Sequence, residues 1–137
     1  MNKTTIYYDK KVKMKAPVMV VGLPGIGSVG ALVGEHLKAE LGAKKFASLY
    51  SPHFMHQTIM LKNGHTRLIS NRFYYKELKN NTLILLLGDT QAATPEGQYD
   101  INEEIVRFFK GLGGAQIYTI GGYSAGSHGV GLRLYRF

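Results

Sequence analysis

Val18-Met19-Val20-Val21-Gly22-Leu23-Pro24-Gly25-Ile26-Gly27-Ser28-Val29-Gly30 is the stretch that decides the fold. Val18 to Leu23 is a continuous apolar, β-branched run, the pattern of a strand buried on both faces. A glycine-rich turn follows at once. Beyond it Val29, Leu32, Val33, Leu37 and Leu41 recur at helical spacing, with Glu35 and Lys38 on other faces. Gly42 is placed to end that helix. A buried strand running through a tight turn into an amphipathic helix is the opening of an α/β unit.

The same alternation continues on both sides. Thr4 to Tyr8 reads as a short first strand and Lys45 to Tyr50 as the strand after the helix. Gln57 to Leu61 and Thr66 to Tyr74 flank Asn63-Gly64, a strong hairpin signal, because a type I′ turn needs positive φ at both central residues. Thr82 to Leu87 is a second fully apolar strand, closed by Gly88-Asp89 and followed by a polar loop through Pro95 and Gly97. Asp100, with Glu103 at the capping-box position, is expected to open the second helix. Ile101, Ile105, Phe108, Phe109 and Leu112 share its apolar face, and Gly113-Gly114 stops it. Gln116 to Ile120 is the next strand, and Leu132 to Phe137 partly alternates like a half-buried one. The pattern predicts a three-layer α/β/α sandwich with a largely parallel sheet and an antiparallel hairpin, in one domain over residues 1–137.

The chain has no cysteine, which excludes disulfides, thiolate metal sites and cysteine nucleophiles. No apolar run approaches the ~18 residues of a membrane span, and no signal-peptide core follows the basic start, so a cytoplasmic protein is expected. The formal charge is +8. Half of it comes from Lys3, Lys10, Lys11, Lys13 and Lys15 against Asp9, so the excess is a basic edge rather than a nucleic-acid footprint.

Three motifs bear on chemistry. Gly25, Gly27, Ser28 and Gly30 lie between a strand and a helix, where bare N–H groups favour anions. Pro24 interrupts the dinucleotide pattern, and Phe46 to Ser51 lacks the acidic residue such sites need. The competing reading is tight strand–helix packing. Asp89 ends a buried strand at the edge where α/β folds bind ligands, or else caps its own turn. Gly122-Tyr123-Ser124-Ala125-Gly126 matches a nucleophile elbow. Ser127 to Gly131 is a poor helix start, no acid follows the elbow, and His128 is too near to serve it, so no catalytic residue is assigned. His53 and His56 lack partners for a metal, and none is expected. Phe73, Tyr74, Tyr75, Leu134, Tyr135 and Phe137 are candidate contacts of a homo-oligomer.

Gly22 to Gly30, then Leu86-Leu87-Gly88-Asp89-Thr90-Gln91 with Pro95, Gly97 and Tyr99, then Ile117 to Tyr123, occur in an order that resembles the proteasome-assembly-chaperone family and its archaeal members. The resemblance runs from about Thr5 to Tyr123. It implies a three-layer α/β fold, self-association and a role as a non-enzymatic chaperone or adaptor for proteasome α-type subunits, and it brings no catalytic residues; no cofactor is expected. Family members commonly continue further, and Ser127 to Phe137 does not look like that continuation. Archaeal relatives dock through a terminal hydrophobic–Tyr–any tripeptide, whereas here Phe137 follows Leu134-Tyr135-Arg136. The alternative reading is a nucleotide- or phosphate-binding α/β enzyme using the Gly25 to Gly30 loop.

Overall fold

The computed structural model describes residues 2–124, residue 126 and the backbone of residues 130–136. Nine strands are described: β1 (Thr5–Tyr8), β2 (Val18–Gly22), β3 (Lys44–Tyr50), β4 (Thr58–Met60), β5 (Thr66–Leu68), β6 (Asn71–Glu77), β7 (Thr82–Gly88), β8 (Gln116–Ser124) and β9 (Val130–Arg136). Two helices join them, α1 (Val29–Leu41) and α2 (Pro95–Gly111). Seven strands form one sheet in the order β1-β3-β6-β7-β2-β8-β9, and β4 with β5 forms a separate hairpin.

The three-layer α/β architecture is present, but the sheet is mixed. Only β2 with β7 and β2 with β8 pair in parallel. The other neighbours, β1–β3, β3–β6, β6–β7 and β8–β9, are antiparallel. Helix α2 links β7 to β8 across β2, so those three strands share a direction. The turn joining β6 to β7, closed by Leu78 N–H on the Asn81 carbonyl at 2.8 Å, is too short for a crossover and forces an antiparallel neighbour. Strand β6 thereby separates β3 from β7. The tail folds back along β8 as β9, with Ile120 opposite Leu134.

Three local expectations change. The Thr66 to Tyr74 run breaks at Ile69-Ser70, both buried, where the chain leaves the hairpin and enters the main sheet. In the hairpin loop only Gly64 takes a positive φ, +81°, so the connection is longer than a two-residue type I′ turn. Leu61 N–H closes it on the His65 carbonyl at 2.7 Å. Helix α2 begins at Pro95, not Asp100: the Thr94 hydroxyl caps it by accepting from Gly97 N–H at 3.1 Å, and proline fits the first turn because its missing N–H is not needed there.

The helices cover opposite faces. Ile101, Ile105 and Phe109 of α2 pack on Met19, Phe46, Phe73, Ile84 and Leu86, all buried. Phe108 extends this layer, its ring centroid 4.8 Å from Phe73. On the other face α1 meets the sheet backbone to backbone. A Cβ on Gly22 would stand 2.6 Å from the Gly30 carbonyl oxygen, and one on Gly30 would overlap the Ile120 carbonyl oxygen. Gly34 is closed in the same way by the Leu87 side chain.

Because backbone cannot move aside as a side-chain tip can, Gly30→Ala is expected to cost at least about 2 kcal/mol. Gly111→Ala, where nothing lies near the added methyl, should be neutral or stabilising by up to about 1 kcal/mol. Urea denaturation of the two variants beside the parent measures both.

Candidate functional site

The parallel strands β7, β2 and β8 end together, and ligands of open α/β sheets bind beyond such carboxyl ends. Here that region holds a groove between α2 and the β2–β8 face. Its outer part, a cavity of about 410 Å³, is lined by Gly25, Ile26, Gln91, Gln98 and Thr119 among others. Its inner part, about 280 Å³, is apolar and reaches Met19, Leu86 and Ile105. Val21, Leu23, Asn102 and Thr119 border both parts. Among the described residues none that lines the groove is charged. Its amides are engaged with protein: Gln91 Nε2 donates to the Pro24 carbonyl at 2.6 Å, Gln98 Oε1 accepts from Ala92 N–H at 3.1 Å, and Gln98 Nε2 donates to Asn102 Oδ1 at 3.1 Å.

The glycine loop enters this groove only at its edge. Gly30 is buried against the Ile120 and Leu23 carbonyls, Gly27 turns the chain at φ +65°, and Ser28, also left-handed at φ +52°, makes no capping hydrogen bond to α1. Among the described residues no lysine or arginine joins it there. Gly122 serves the same packing, since a Cβ on it would overlap the Ile26 carbonyl oxygen.

Asp89 does not line that groove. It lies at the end of β7, where two arginines that the sequence reading did not single out converge on it. Arg67 donates to both carboxylate oxygens, at 2.5 and 2.8 Å, and Arg72 does the same at 3.0 Å each. Ser70 N–H adds a third donor at 3.1 Å. Burial pushes the Asp89 pKa up, but the hydrogen bonds from Arg67, Arg72 and Ser70 and the Arg72 charge outweigh it and hold the carboxyl well below its usual range. The aspartate is a clamp joining β5, β6 and β7, with its acceptors occupied. Beside it Asn71 is fully buried, and its amide fills the space a Cβ on Gly88 would need.

The other candidates are placed as follows. Phe73 is wholly buried in an interior strand and belongs to the core, not to an interface, which corrects the expectation for it. Tyr74 and Tyr75 are half-buried beneath Lys38 and Lys10, each 5.0 Å from its ring centroid. Ser124 is the last residue of β8 and pairs with Val130 of the antiparallel β9. His53 faces Asp100, with Nε2 3.5 Å from the carboxylate. Leu134 and Tyr135 lie on β9, whose side chains are outside the described residues, as are His128 and Phe137.

Replacing Asp89 with Asn leaves two arginines facing a neutral amide, and a loss of about 1–3 kcal/mol at pH 7 is expected. The folded pKa lies below the unfolded value of about 4, so the native carboxylate stabilises fully above that pH and loses its effect as the pH falls below it. The gap between parent and Asp89→Asn stability should therefore narrow below about pH 4, as urea titrations at pH 7, 5 and 3 would show.

Residues 19–133 match the PAC2 family. An uncharacterised protein of Methanocaldococcus jannaschii is 37% identical over 131 residues, covering 92% of this chain and 50% of its own length. The crystal structure of Pyrococcus furiosus PbaB, an archaeal proteasome activator, superposes with a TM-score of 0.86 at 42% identity, covering 90% of this chain and 52% of that one. Pyrococcus furiosus PbaA, an archaeal homologue of proteasome-assembly chaperone, shares the fold at a TM-score of 0.61 and 23% identity, over 83% of this chain and 46% of that one. The chain thus spans about half the length of the relatives it matches. From the family match and these likenesses, the chain belongs to the PAC2 family.

Proposed function

We propose that this chain acts by binding rather than by chemistry, as an adaptor that docks on proteasome α-type subunits and assists or regulates proteasome assembly. The likeness to the archaeal proteasome activator PbaB, 42% identical over most of this chain, carries the reading. The site geometry supports it. Among the described residues none that lines the groove beyond β2 and β8 is charged, and the acceptors of Asp89 are taken up by arginines. Among the described residues no three His, Cys, Asp or Glu converge to hold a metal. No helix among them is long and apolar enough to cross a membrane. Self-association belongs to the same reading, most simply as a closed symmetric assembly.

Sedimentation with an assembled archaeal 20S proteasome, and separately with its isolated α-type subunits, tests the proposal. The chain should move with at least one of them and with neither an unrelated barrel nor free solution. Sedimentation as a free species in both mixtures, at concentrations well above micromolar, would contradict it.

A further inference from the structure

The β4–β5 hairpin stands outside the main sheet, and its two faces differ in chemistry. Thr58 pairs with Leu68, Ile59 with Arg67 and Met60 with Thr66. Because strand side chains alternate, Ile59 and Arg67 share one face, and Thr58, Met60, Thr66 and Leu68 share the other. The first face is anchored: Ile59 packs on the core and Arg67 holds Asp89. The second is open to solvent, with Met60 76% and Leu68 58% exposed. Exposed Met55 continues this apolar surface into a cavity of about 480 Å³ that also borders Leu68. Large exposed apolar side chains grouped in this way mark interaction surfaces, and methionine adapts to varied partners.

Charge narrows the kind of partner. Between Glu40 and Glu77 the chain has no acidic residue, while it carries Lys44, Lys45, Lys62, Arg67, Arg72 and Lys76. Lys45 is matched by Asp9, 3.1 Å away, and the two arginines share the single Asp89, leaving one positive charge over. Lys62 sits at the hairpin tip and makes no ion pair among the described residues. The outer edges of the two-stranded sheet offer backbone N–H and C=O groups for one more strand.

We propose that the outer face of the β4–β5 hairpin is a docking site for an extended segment of a partner protein in which apolar side chains alternate with carboxylates. The apolar side chains would rest on Met60 and Leu68 and reach the cavity by Met55. The carboxylates would meet Lys62 at the hairpin tip, and the one surplus positive charge of the Arg67–Arg72–Asp89 group behind the hairpin adds to the attraction at longer range. A nucleic acid fits this surface less well, since its large exposed apolar side chains, Met55, Met60 and Leu68, are not aromatic and offer no stacking platform for bases.

The probe is a fluorescein-labelled octapeptide of alternating Leu and Glu, with a Leu and Lys counterpart, followed by anisotropy in low salt and at about 0.15 M. The acidic peptide should bind at least tenfold more tightly than the basic one and weaken with salt. Leu68→Glu and Lys62→Glu should each weaken it at least tenfold with the circular dichroism spectrum unchanged. If a variant misfolds, amide-exchange protection of Thr58 to Leu68 by the peptide on the parent chain decides the question, and no protection there overturns the proposal. Equal binding of both peptides, or affinity untouched by both substitutions, would overturn it. So would displacement of the peptide by an oligothymidylate at equal concentration. An oligomer that dissociates on Met60→Glu would assign the face to a second copy of this chain and overturn it too.

Discussion

The closest constraint in this fold is the contact between α1 and the sheet, where glycines let backbone approach backbone. Gly22, Gly30, Gly34 and Gly122 each stand where a Cβ would strike the Gly30, Ile120 or Ile26 carbonyl or the Leu87 side chain. The helix is therefore seated lower on β2 and β8 than side-chain packing alone would allow. With α1 on one face and the aromatic layer of Phe46, Phe73 and Phe108 beneath α2 on the other, the central strands are enclosed. The same seating engages Gly30 and Gly122 of the glycine-rich segments with carbonyl groups of Ile120 and Ile26.

The second constraint is electrostatic and links the sheet to the hairpin. Asp89 gathers Arg67 from β5 and Arg72 from β6 at the end of β7, so one carboxylate fixes how three segments leave the sheet edge. Its surroundings are partly dehydrated, which strengthens these bonds and makes an unpaired charge there costly. Anchored through Arg67 and Ile59, the hairpin presents Met60 and Leu68 outward.

What could be read in the sequence was local. Val18 to Gly22 and Leu83 to Leu87 announce buried strands because neither face carries a polar residue, and Val29 to Leu41 shows its period and its terminal glycine, Gly42. The first turns of α2 were hidden, because Pro95 to Asp100 is polar and looks like loop until Thr94 is recognised as its cap. Strand order was not legible either. It depends on β6 inserting between β3 and β7, and nothing in Asn71 to Glu77 names its neighbours. That insertion also buries Phe73, whose aromatic side chain taken alone suggests an interface. Asp89 stood out by its place at a strand end, but its partners lie 17 and 22 residues away, with no motif tying them to it.

Native-state hydrogen exchange tests the central claim, that the glycine seating makes α1 and the sheet one cooperative unit. The account predicts that amides in the body of α1 and in β2 and β7 exchange only through global opening, with one common free energy across Val33 to Leu37, Met19 to Val21 and Ile84 to Leu86. Amides of α1 exchanging about a hundredfold faster than those of β2 and β7 would show a helix that opens independently, and would contradict it.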